Sequence, residues 1–125
     1  MTPSGPGREP ADGPAQDREG AYELLQRGTA LLARRHPAQA AVVLVRAAAI
    51  EPGKGSILEP LGRALFMSGQ LDRAVETFEA LLEIDPSNHY AHYALGRTHL
   101  RLAVALAPES RLYRGGLRRL GPDAV

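Results

Sequence analysis

The chain has 125 residues and a formal net charge of +1, with 15 Lys and Arg against 14 Asp and Glu, and it contains no cysteine. That length suits one domain. The absence of cysteine excludes disulfides, thiolate nucleophiles and cysteine-based zinc sites, and the near-neutral balance excludes nucleic-acid binding by overall charge. The longest strictly apolar runs, residues 40–45 and 102–107, are far below the ~20 residues needed to cross a bilayer, so a soluble, cytoplasmic chain without membrane contact is expected.

Residues 1–20 hold Pro3, Pro6, Pro10 and Pro14 among Gly5, Gly7, Gly13 and Gly20, with almost nothing apolar. Such a stretch cannot bury enough surface to offset its ordering entropy and reads as a disordered arm. It lacks the apolar centre of a signal peptide. Charge is uneven along the chain. Residues 1–20 carry two basic and four acidic side chains, residues 21–96 seven and eight, and residues 97–125 six and two. An anionic partner would meet the C-terminal part.

From residue 21 the chain repeats itself. Residues 21–54 set above residues 55–88 without a gap bring Gly28 over Gly62, Leu31 over Leu65, Ala40 over Ala74 and Leu44 over Phe78. Ile50 falls over Ile84, and Glu51-Pro52 over Asp85-Pro86, so the unit that opens at Ala21 opens again at Gly55. Apolar residues at helical spacing predict two amphipathic helices per unit. The glycine and alanine are small where two backbones must approach closely. The proline ends the second helix, because it disfavours helical geometry in the residue before it. His36-Pro37 and Ser68-Gly69 supply the turns within each unit.

These matched positions, at a period of about 34 residues, resemble the tetratricopeptide-repeat family. The resemblance covers residues 21–88 and implies an all-α solenoid of helix hairpins whose function is to hold another protein or peptide. Two positions depart from the pattern. Arg27 stands where the second unit has Leu61, and Pro60 lies near the start of a helix, either within the first turn or delaying the start to about residue 58.

A third unit begins in register, Leu95-Gly96 aligning with Leu61-Gly62, but the next proline is Pro108, well before position 120, where the closing proline belongs. With no Gly or Pro between Arg97 and Ala107, one continuous helix over about residues 89–107 is predicted, roughly 28 Å long. A shorter helix over about residues 110–120 follows, weakened by Gly115-Gly116, and residues 108–125 form a cap and tail. The long helix is apolar nearly all round at its end, and a solenoid needs about three units to bury a continuous core. Two readings stay open: a homodimer through residues 95–107, using Leu100, Val104 and Leu106, or a cap in which Leu112, Tyr113, Leu117 and Leu120 fold back.

The resemblance also implies where a ligand lies. In this family the first helix of each pair lines a concave groove. That role falls on Tyr22, Leu25, Gln26 and Thr29, then on Glu59, Arg63, Phe66 and Met67, then on Tyr90, Tyr93, Arg97 and Arg101. Leu25, Thr29 and Pro60 stand where family members that clamp a peptide carboxylate have Lys or Asn, so that clamp is not expected. What remains is a mixed surface, Arg63, Arg97 and Arg101 for an acidic group of a protein or peptide partner and Tyr90 and Tyr93 for apolar contact.

Other signals point nowhere. His89 and His92 are one turn apart, but His99 lies two turns farther on, too far for one metal ion. Pro52-Gly53-Lys54-Gly55-Ser56 lacks the spacer and the preceding strand of a phosphate loop. No serine has a nucleophile-elbow context. The sequence therefore predicts a non-catalytic scaffold for protein–protein interaction, without metal or cofactor. Its alternative is a nucleic-acid or regulatory accessory acting through Arg111, Arg114, Arg118 and Arg119.

Overall fold

Turn chemistry cuts the chain into helices. A computed structural model describes residues 20–120 as α1 (Ala21–Ala33), α2 (Pro37–Ile50), α3 (Gly55–Met67), α4 (Leu71–Ile84), α5 (His89–Leu106) and α6 (Arg111–Leu120), with no strand among the described residues. The expected N-terminal arm, apart from Gly20, lies outside that range.

The α1–α2 and α3–α4 turns are built alike, one repeat apart. Gly69 adopts a left-handed backbone with φ of 82°, and the amide of Gln70 donates back to the carbonyl of Leu65 at 2.8 Å. In the first unit the left-handed residue is Arg35, φ 67°, and the amide of His36 donates to Leu31 at 2.9 Å. This closure satisfies helix carbonyls that have no partner within the helix. Pro37 then opens α2, where its fixed φ suits the first helical position. Asn88 caps α5, its side-chain oxygen accepting from the amide of Ala91 at 2.9 Å.

Pro60 departs from both sequence expectations. The helix starts at Gly55, and Pro60 lies inside it rather than in its first turn. The carbonyl left without a helical donor is that of Ser56, an exposed residue of the opening turn. Because that residue is exposed, water is free to take the place of the missing donor, and the helix continues.

Each helix packs against the next in chain order, and α3 also touches α1. At each hairpin crossing a glycine receives one large side chain. Leu44 lies against Gly28 and Phe78 against Gly62, with Ala40 and Ala74 fully buried beside them. Leu61, Leu65 and Phe66 join these in one core, and Leu24, Val43, Ala47 and Ile57 form a second beneath α1.

The third unit breaks this plan. At the place of Arg35 and Gly69 stands Ala103, and α5 runs through it without a turn. The return helix α6 therefore starts late and settles on a different side of α5. Gly116 rests on Leu100, and the Tyr93 hydroxyl donates to the carbonyl of Leu120 at 2.8 Å. Among the described residues, no other side chain or neighbouring helix lies within 4 Å of the point where Gly96 would carry a β-carbon. Leu112, in register with Leu44 and Phe78, is exposed.

Candidate functional site

The first helices of the three units, α1, α3 and α5, carry the groove residues inferred from the sequence. The structure divides them into an exposed set and a supporting set.

Tyr22, Gln26, Thr29, Arg63, Met67 and Arg101 are exposed. On α1, Gln26 donates its side-chain amide to the Tyr22 hydroxyl at 2.9 Å, and the Thr29 hydroxyl bonds back to the carbonyl of Leu25 at 3.0 Å. Leu25 and Tyr22 line a shallow cavity of about 160 Å³ with Ser56 and Ile57, and the Lys54–Glu51 ion pair at 3.3 Å borders it.

Beneath Arg63 and Arg101 lies a more ordered cluster. Tyr90 packs edge-on to Phe78, with ring centroids 6.2 Å apart. Its hydroxyl is buried and has no hydrogen-bond partner among the described residues. Burial raises its pKa far above the usual tyrosine value, opposed by the charge of Arg63 and reinforced by Glu59 and Tyr93. Arg97, only 5% exposed, lies over the Phe66 ring at 5.5 Å, and Arg101 lies over the same ring at 5.2 Å. A desolvated cation over a ring face is a favourable contact. Tyr90, Tyr93 and Arg97 thus spend their side chains within the fold, and Glu59 and Phe66 back them.

Of the residues considered for self-association, Leu100 and Val104 are half-buried, with α6 over Leu100, while Leu106 is exposed. The paired arginines over Phe66 escaped the sequence reading. Their signal is an i, i+4 pair one repeat downstream of an aromatic residue. His92 bonds the carbonyl of Pro86 at 2.8 Å, and no group of metal-ligating side chains forms among the described residues. The site offers hydrogen bonds, cations and apolar edges.

A family model described as a tetratricopeptide repeat matches residues 31–98, more than half the chain. The chain is a tetratricopeptide-repeat protein. Such repeats generally mediate protein–protein interaction. The match spans the glycine crossing of Gly62 with Phe78 and the alanine pair Ala40 and Ala74, and it ends at Thr98, before α5 overruns the usual turn position. Among the described residues, no helix of this repeat protein is long and apolar enough to cross a membrane.

Proposed function

We propose that this repeat protein acts as a scaffold that holds a segment of a partner protein along the row formed by α1, α3 and α5. The observation that carries the reading is the division of that row. Arg63, Met67 and Arg101 are exposed above the half-buried Tyr90 and Tyr93 and the buried Arg97. A partner with a carboxylate beside an apolar side chain suits this surface, since Arg63 stands one turn before Met67 on α3 and Arg101 lies over the neighbouring Phe66, and arginine and aromatic anchors dominate interface energetics.

The test is capture from native lysate by the wild type and by an Arg63→Glu, Met67→Ala, Arg101→Glu variant, with helicity compared by circular dichroism. A protein held by the wild type and lost by an equally helical variant supports the row as the site. A partner held equally by both rejects it.

A second reading rests on α6. Arg111, Arg114, Arg118 and Arg119 are all exposed, and no acidic residue lies in that helix. This arrangement favours an anionic partner, including nucleic acid. Retention on DNA that falls steeply between low and moderate salt would support it, and no retention at low salt would reject it.

A further inference from the structure

The outward faces of α2 and α4 occupy the same place in successive units, yet their chemistry is opposite. On α4 that face is Asp72, Glu76, Glu79 and Glu83, all exposed. The equivalent positions one repeat earlier, on α2, are Ala38, Val42, Val45 and Ala49, also all exposed. Val42 is 65% and Val45 37% accessible. The charged stripe of α4 is what a solvated helix face requires. The apolar stripe of α2 leaves β-branched side chains in water, with Ile50 half-accessible at its end. Contiguous apolar surface of this kind marks an interaction site more often than scattered exposed residues do.

The pattern of the stripe indicates what covers it. Its residues are spaced four, three and four apart, the repeat of an apolar seam between two packed helices. Both the spacing and the residue order, Ala–Val–Val–Ala, read the same in either direction. A second α2 turned by a two-fold axis between Val42 and Val45 therefore sets Val42 against Val45 of the other copy and Ala38 against Ala49. An isologous interface requires this kind of self-complementarity. The alanines at the two ends let the helices approach closely, and Arg46 and Gln39 edge the seam on one side. Neither flanking segment carries such a stripe: residues 1–19 contain Met1, Ala11 and Ala15 as their apolar side chains, and residues 121–125 Ala124 and Val125.

We propose that two copies of this chain associate through an antiparallel α2–α2 seam centred between Val42 and Val45. The seam lies on second helices, away from the row of first helices, so the dimer presents two copies of that row and does not depend on what the row binds. Four seam residues per copy are far fewer than the roughly 20–30 a side of a standard specific interface. Association is therefore weak, on the order of tens to hundreds of micromolar.

Sedimentation of the full chain from about 10 µM to about 1 mM spans that range. The wild type is expected to pass from the mass of one chain to that of two, and a Val42→Glu, Val45→Glu variant to stay at one. Glutamates at these positions are compatible with the fold, since Glu76 and Glu79 occupy their equivalents on α4. A wild type that stays monomeric throughout overturns the proposal. So does a variant that still dimerises. Should the variant lose helicity, cross-linking decides, and the chain's lack of cysteine gives it a clean background. Val42→Cys mixed with Val45→Cys should form disulfide dimers faster than either variant alone. Equal rates, or no cross-linking, overturn the antiparallel seam.

Discussion

The ring of Phe78 lies against Gly62, inside the space that a β-carbon there would need. Phe78 is fully buried, so its ring has nowhere to move. Overpacking of this kind costs about 1–3 kcal/mol, and the better helix propensity of alanine returns about 1 kcal/mol. With the ring held in place the upper part of that range applies, a net loss of about 1–2 kcal/mol, and Gly62→Ala is expected to melt roughly 4–16 °C below the wild type. Gly96, one repeat on, has no described residue packed within 4 Å of the same point. Gly96→Ala should gain stability by propensity alone, up to about 1 kcal/mol. Because the two glycines share a register position, their opposite signs isolate the crossing. A tolerated Gly62→Ala would mean that the crossing is looser than the structure has it.

Arg35 holds a left-handed backbone that Gly69 holds in the next unit. A side chain in that conformation costs about 1–2 kcal/mol, which glycine avoids at the expense of greater freedom in the unfolded chain. Arg35→Gly is expected to stabilise the protein by about 0.5–1 kcal/mol, and Gly69→Arg to destabilise it by at least as much. Chemical denaturation of both variants measures the two changes. Matching signs for the pair would contradict the turn geometry.

Much of this was legible because the signals are local or periodic. Gly28 over Gly62, Ala40 over Ala74 and Leu44 over Phe78 fall into line at one period, and each pair sits at a helix crossing in the structure. Where α6 settles was not legible. Its place depends on the length of α5 and on which side of that helix offers Leu100 and Tyr93, neither of which a period encodes. Pro60 was misjudged for a related reason. A missing amide matters only where its partner carbonyl is shielded, and the exposure of Ser56 is a tertiary fact. The stacking of Arg97 and Arg101 over Phe66 joins side chains from successive units, and nothing in the charge pattern distinguishes them from solvated arginines.

Burial of the Tyr90 hydroxyl gives an alkaline signature. A group whose pKa is raised in the folded state contributes stability that is intact below its unfolded value, about 10, and is lost as pH rises above it. Wild-type stability should therefore fall between about pH 9.5 and about pH 11.5 more steeply than that of Tyr90→Phe, which has no proton to lose there. Below about pH 9 the variant should be as stable or slightly more so, because it also removes a buried hydroxyl without a partner among the described residues. Denaturant midpoints across that pH range test both statements, and parallel profiles would refute the burial argument.

The docking of α6 rests on few buried contacts. No residue of this helix is buried, and Gly115 and Gly116 each disfavour helix by about 1 kcal/mol relative to alanine. Its polar attachment to α5 is the bond from the Tyr93 hydroxyl to the carbonyl of Leu120. Tyr93→Phe removes that bond at a net cost of about 1 kcal/mol, equivalent to about fivefold in an opening equilibrium. Local opening is independent of global unfolding when few apolar contacts hold a segment. Amide exchange within α6 should therefore quicken about fivefold in the variant, while α1 to α4 exchange at wild-type rates. Gly115→Ala should act in reverse. A β-carbon there meets the Arg119 guanidinium at 3.7 Å, an ordinary contact, so helix propensity is gained without strain. Slower exchange across α6 in Gly115→Ala and faster exchange in Tyr93→Phe would establish α6 as a separately opening unit. Uniform changes across all six helices would show instead that α6 melts only with the rest.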